Sequence, residues 1–210
     1  MGFFRKIENE NGLIGIWKLT EKPDELLPQI QLSKQDQNYF QQLRFKKRQT
    51  EFLATRLLLK HLFNETVQIE YLPNGKPILT GRNEKISISH SLHFVCVFIS
   101  EKEIGIDIED TTRPIDRVAN RFLHTEEFNF ISDLKNPQLA KVTYWAAKEA
   151  VFKCSREQGI QFNTQIRIDD FDPEKDRQFT ARLLISEKNL KYRLTSEHVE
   201  NNVLVYCVEM

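Results

Sequence analysis

Twice along this chain a stretch that favours helix gives way to a series of short strand-like runs, and that order limits the fold more than any other feature. The segment "KQDQNYFQQLRFKKRQTEFLATRLLLKHLF", from Lys34 to Phe63, has few β-branched residues and no Gly or Pro. Its apolar positions Leu43, Phe52, Leu53, Leu57 and Leu59 fall broadly in helical phase behind a capping residue at Ser33, which predicts one long helix or two in succession. "TVQIEYL" reads as a short strand and "PNGKP" as a turn, by its Pro, Asn and Gly. "KISISHS", "FVCVFIS" and "EIGIDIE" follow as strand-like runs close enough in sequence for a meander. The second half loosely repeats this order. "RPIDRVANRFL", "TEEFNFISDL" and "NPQLAKVTYWAAKEAVFKCSRE" look helical, and strand-like runs return at "TQIRIDDF", "QFTARLLIS", "NLKYRLTS" and "NVLVYCVEM". Helices then strands, twice over, predict an α+β fold: a pseudo-two-fold pair of similar lobes, 1–103 and 104–210, with the acidic strand near their join.

That strand, "IGIDIE", poses a chemical question. Successive strand side chains point to opposite faces, so Ile104, Ile106 and Ile108 share one face while Gly105, Asp107 and Glu109 share the other. Two carboxylates on one face repel, and a strand glycine adds no packing of its own to offset that. Either the acids are solvated surface charge or something positive belongs between them.

A second cluster lies in "WAAKEAVFK". Glu149 and Lys153 are one helical turn apart, Lys148 adjoins Glu149, and Trp145 and Phe152 mark an apolar edge. Alone this reads first as a routine helix salt bridge and only second as a site for phosphate and metal. Taken with the strand, Asp107, Glu109 and Glu149 supply three carboxylates with no His or Cys cluster, a donor set that suits a hard oxygen-loving cation, magnesium above all, and lysines beside it suit a phosphorylated substrate. "SISHS" puts Ser89 and His90 at a strand end, either as phosphate donors or as ordinary hairpin polar groups. Adjacent strand side chains diverge, so the pair is not a nucleophile with its base. Lys76 sits on the "NGKP" turn, and Arg48 and Arg56, about two helical turns apart, can share a face of the N-terminal helix, for phosphate or as a solvated basic surface.

Whole-chain properties exclude several classes. Thirty Lys and Arg against thirty Asp and Glu leave a formal net charge of zero, without the basic footprint of a nucleic-acid binder. No apolar run has the length of a membrane span, and "MGFFRKIENENG" has neither a signal-peptide core nor a myristoylation pattern. Cys96, Cys154 and Cys207 are odd in number and widely spaced, which argues against a disulfide framework and for the reducing cytosol.

In order, "NGKPIL", "SISHS", "GIDIE" and "WAAKEAVFK" resemble the successive motifs of the 4′-phosphopantetheinyl transferase superfamily, with the spacing of its larger, Sfp-type branch. Ser87 stands where that family often has Asn. The resemblance implies two lobes, each a helix on a small antiparallel sheet, with coenzyme A in the cleft between them and one chain sufficient as a monomer. It implies magnesium-dependent transfer of the phosphopantetheine arm of coenzyme A to a serine of an acyl or peptidyl carrier protein, releasing adenosine 3′,5′-bisphosphate. By motif position, Asp107, Glu109 and Glu149 resemble the metal ligands, Glu149 also a candidate base, and Lys153 and Lys148 the pyrophosphate contacts. Lys76, Ser89 and His90 resemble the nucleotide contacts, with Arg48 or Arg56 at the 3′-phosphate. Carrier proteins being acidic helical bundles, a local basic and apolar docking patch is expected. Two further readings are a non-catalytic module that binds coenzyme A or a carrier, and a magnesium-dependent phosphodiesterase using the same carboxylates on water.

Overall fold

An antiparallel hairpin that the sequence patterning does not announce opens the chain: β1 (Phe3–Asn9) pairs with β2 (Gly12–Lys18), turning at Gly12 with φ of +136°. β1 is largely exposed, so it lacks the alternation that marks a half-buried strand. The computed structural model describes residues 2–155, 157–185 and 188–210; Arg156 of the expected helix and Ser186 of an expected strand lie outside them. The chain forms two compact units, one ending at Glu101 and the other beginning at Lys102.

In the first unit a short helix, α1 (Pro23–Leu26), precedes α2 (Lys34–Gln42) and α3 (Lys46–Phe63). Ser33 caps α2, its side chain accepting from Asp36 N at 3.1 Å. β3 (Ile69–Tyr71), β4 (Pro77–Leu79), β5 (Lys85–His90) and β6 (Phe94–Ser100) complete an antiparallel sheet in the order β1-β2-β6-β5-β4-β3. Leu53, Ala54, Leu57 and Leu58 of α3 pack with Ile86, Val95, Val97 and Ile99 of the sheet.

The second unit begins with β7 (Ile104–Asp110). β7 does not extend a meander with β5 and β6: it pairs with the last strand, β11 (Asn202–Glu209), in register Gly105 to Cys207, Asp107 to Val205 and Glu109 to Val203. Between them come α4 (Ala119–Phe122), α5 (Thr125–Ser132), α6 (Pro137–Cys154), α7 (Phe162–Gln165), β8 (Ile166–Ile168), β9 (Gln178–Ile185) and β10 (Lys188–Val199). The antiparallel order is β7-β11-β10-β9-β8. Ala146, Ala147, Ala150 and Val151 of α6 pack with Val203, Val205, Cys207, Ala181 and Leu194 of this sheet. Two antiparallel sheets, each carrying a long helix, give the α+β class expected from the sequence.

Candidate active site

Gly105 decides how β7 meets α6. A Cβ built there would overlap the carbonyl oxygen of Ala150 and stand 2.8 Å from the backbone nitrogen of Cys154. Those are helix backbone atoms, which cannot swing aside as a side chain can, so only glycine admits the helix at this spacing. Asp107 and Glu109 share that strand face. The acids are therefore not solvated surface charge: they stand against the helix that carries Glu149 and Lys153.

The pairing follows from this placement. Lys153 donates from Nζ to Asp107 Oδ1 at 2.6 Å and to the carbonyl of Ile106 at 3.1 Å. Glu109 Oε1 accepts from the indole Nε1 of Trp145 at 2.8 Å and pairs with Arg113, whose guanidinium also lies 5.4 Å from the Trp145 ring. Asp107 is buried, and Glu109 and Glu149 are half-buried. Burial, then the charge of Asp107, push the Glu109 carboxyl above its ordinary range, against Arg113 and Trp145. Glu149 is pushed up to about 7, first by burial, then by the charge of Asp107, with Lys153 opposing and Glu109 adding to the rise. Three carboxylates thus act on one another at short range, in a setting that makes holding all three charges costly.

Such a donor set fits a hard divalent cation chemically, because a cation among three oxygen donors relieves the repulsion that lifts Glu109 and Glu149. Among the described residues, no group of three His, Cys, Asp or Glu is drawn together tightly enough to hold a metal as it stands. Lys153 and Arg113 instead occupy the Asp107 and Glu109 carboxylates.

Lys148 has no part in this cluster. It is completely buried and spends Nζ on Glu127 Oε2 at 2.7 Å and on the carbonyls of Ile166 and Phe162 at 2.7 and 3.0 Å. An ammonium whose three protons are engaged in the core cannot reach a pyrophosphate, so the expectation for Lys148 is corrected. Glu127 in turn accepts from the backbone of His124 and Ile168, both at 2.8 Å, which ties α5, α6, α7 and β8 together.

In the first unit the structure joins two of the expected residues. Arg48 Nη1 on α3 lies 2.9 Å from His90 Nε2 at the end of β5 and 2.8 Å from Glu51 Oε2. Glu51 is buried and also stands 3.8 Å from Lys47 Nζ. The same His90 nitrogen stands 3.8 Å from Glu51 Oε2, so the three side chains form one contact group. Ser89 is buried, and Lys76 is half-buried at its turn, its backbone N–H bonded to Asn74 Oδ1 at 3.1 Å. Arg56 does not share the exposed face of Arg48: it is buried, bonded to Asp36 Oδ1 at 2.9 Å and laid over the Phe52 ring at 3.6 Å, which corrects its assignment to a phosphate.

Arg113, Glu51 and Glu127 were missed by the sequence reading. Arg113 lies four residues after Glu109 and Glu51 three after Arg48, opposite-charge spacings that were visible but common. Nothing local distinguishes Glu127 from the acid beside it. Compared with known families, residues 103–207, half of the chain, match the model described as the 4′-phosphopantetheinyl transferase superfamily. Among curated proteins the sequence has no match.

Proposed function

The chain belongs to the 4′-phosphopantetheinyl transferase superfamily, and on that footing we propose that it moves the phosphopantetheine arm of coenzyme A to a serine of an acyl or peptidyl carrier protein with magnesium. The superfamily itself implies the transfer from coenzyme A to a carrier. The observation that carries the finer reading is the meeting of Asp107, Glu109, Glu149 and Lys153 where β7 lies on α6, inside the matched segment.

In the proposed reaction the serine oxygen forms a bond to the phosphorus that bears pantetheine, and the bond from that same phosphorus to the bridging oxygen breaks, the oxygen leaving with the second phosphorus. The serine proton passes to Glu149, the half-buried carboxylate one helical turn from Lys153 on α6. The bond's electron pair leaves on adenosine 3′,5′-bisphosphate, already a stabilised phosphate. Asp107, Glu109 and Glu149 would hold the magnesium ion, which when bound supplies positive charge to the pyrophosphate. Lys153 exchanges its Asp107 contact for a phosphate oxygen and so neutralises charge as it builds. Arg48 and His90 contact the nucleotide phosphates, with Lys76 and Ser89 assigned there too.

We also place the chain in the larger, Sfp-type branch, acting as a monomer in the cytoplasm. The helix-on-antiparallel-sheet plan of the unit ending at Glu101, outside the matched segment, supports the branch, and three buried cysteines in thiol form suit a reducing compartment. One observation favours the non-catalytic reading instead: Lys153 and Arg113 already pair with Asp107 and Glu109. Intact mass of an apo acyl or peptidyl carrier protein after incubation with the protein and coenzyme A separates the two. Gain of one phosphopantetheine unit with magnesium and none with EDTA is expected; no gain on any carrier, with coenzyme A still bound, makes the chain a binding module.

A further inference from the structure

Arg113 reaches Glu109 because the turn that follows β7 is tied down at several points. Asp110 Oδ1 accepts from the backbone N–H of Thr112 at 2.8 Å and from its hydroxyl at 2.6 Å, and the N–H of Arg113 donates to the Asp110 carbonyl at 3.0 Å. Thr111 donates its N–H and its hydroxyl to the carbonyl of Asn201 at 2.9 and 3.0 Å, which anchors this turn to the one between β10 and β11. Gln138, in the first turn of α6, closes the other side: its Nε2 donates to the carbonyls of Thr111 at 3.2 Å and Arg113 at 2.8 Å. The backbone of Arg113 is thus held at its N–H and at its carbonyl, and its side chain turns back to Glu109 Oε1, four residues earlier.

An ion pair in solvent contributes little, and the Arg113 side chain is 41% exposed. Its acceptor is what sets this pair apart. The Glu109 side chain is 16% exposed, the Trp145 indole donates to the same oxygen at 2.8 Å, and the guanidinium lies 5.4 Å from the indole ring. Glu109 also belongs to the carboxylates that repel one another between β7 and α6, so a cation brought to it relieves the whole set. Lys153 does the same for Asp107 at 2.6 Å. The two cations differ in where they can go. Lys153 has a second anion to move to, the phosphate of the proposed reaction, whereas the turn keeps the charge of Arg113 near Glu109 whether or not another cation arrives. A guanidinium and a divalent ion drawn to one carboxylate repel each other at short range.

We infer that Arg113 is a built-in competitor for the metal: it neutralises Glu109 when no metal is bound, and its charge sets how much magnesium the site needs. The inference rests on the proposed magnesium site at Asp107, Glu109 and Glu149, and adds to it the residue that tunes its affinity. Arg113 makes three acids tolerable in the metal-free chain and weakens metal binding by the same charge. Its removal therefore has two effects of opposite sign, which separates this role from that of a salt bridge that only holds the turn. The bonds that fix the turn use the backbone of Arg113 and not its side chain, so a neutral residue fits there.

The experiment titrates magnesium chloride alone into wild type, Arg113→Gln and Arg113→Lys by calorimetry, at mildly alkaline pH so that protons do not compete for the carboxylates. Thermal midpoints are measured beside it in EDTA and in magnesium, and circular dichroism establishes folding. Arg113→Gln is expected to melt below wild type in EDTA, to bind magnesium about tenfold more tightly or better, and to gain the larger rise in midpoint when it is added. Arg113→Lys keeps the charge and is expected to stay near wild type in affinity. Equal or weaker magnesium affinity in Arg113→Gln overturns the inference even if its metal-free midpoint falls, and so does an equal gain in Arg113→Lys. Magnesium that binds neither wild type nor either variant overturns the metal reading on which the inference stands. Binding that Asp107→Asn abolishes and Arg113→Gln leaves unchanged keeps that reading and removes the inference alone.

Discussion

Replacing Lys148 by methionine is expected to unfold the second unit far more readily while leaving its recognition of coenzyme A intact. The methionine keeps most of the side-chain volume but deletes the Nζ that reaches Glu127 at 2.7 Å and the carbonyls of Ile166 and Phe162 at 2.7 and 3.0 Å. Removing one partner of a buried ion pair costs about 3–5 kcal/mol, because the other charge stays buried. The two orphaned carbonyls each carry a penalty on the order of 1–3 kcal/mol, not additive with the first. A loss near 4 kcal/mol, at an m-value of about 2 kcal/mol per molar urea, moves the urea midpoint down by about 2 M. Trp17 lies in the first unit and Trp145 in the second, so a Trp17→Phe background lets indole fluorescence report on the second unit alone. Burial lowers the Lys148 pKa from 10.5 to about 8 against the upward pull of Glu127. Between those values the unfolded chain holds a proton that the folded chain has released, so this lysine makes stability rise with pH from about 8 to 10.5, a slope the methionine variant lacks. A midpoint within about 0.3 M of wild type, or a folded variant whose only defect is weaker coenzyme A binding, would refute the structural role.

Three further outcomes are expected. Ile106→Asp places an unpaired charge at a fully buried strand position and costs more than about 3 kcal/mol, read as loss of cooperative unfolding in urea; a native-like transition would refute the assigned strand faces. Asp107→Asn preserves shape, lowers transfer on the order of a hundredfold or more, and abolishes any magnesium-induced rise in thermal midpoint, a rise that persists in the variant if Asp107 holds no metal. Arg48→Ala and His90→Ala each raise KM for coenzyme A several-fold, and the double variant adds little beyond the worse single one because the two groups are in contact at 2.9 Å; full additivity would separate them.

Much of this arrangement was legible in period and charge. Alternation put Asp107 and Glu109 on one face of β7, helical spacing put Glu149 beside Lys153, and motif order joined the two elements. The remainder depended on which side of a helix is covered, and α6 is covered on more than half of its circumference: Lys148 points into the core while its neighbour Glu149 stays half-buried. Arg56 was misread for a similar reason, since its partner Asp36 is twenty residues away and on another helix. The meaning of Gly105 was reversed outright. A residue that looked like a gap in the packing of a strand is the place where strand and helix touch most closely.

That contact gives the cluster a length standard made of a missing methyl group. The separation between β7 and α6, and with it the reach of Lys153 to Asp107, is held by backbone atoms resting on Cα and not by the charged residues themselves. A chain could keep Asp107, Glu109, Glu149 and Lys153 unchanged and still lose their spacing through alanine at position 105. Any attempt to build this cluster into another strand and helix would have to transplant the glycine before the acids.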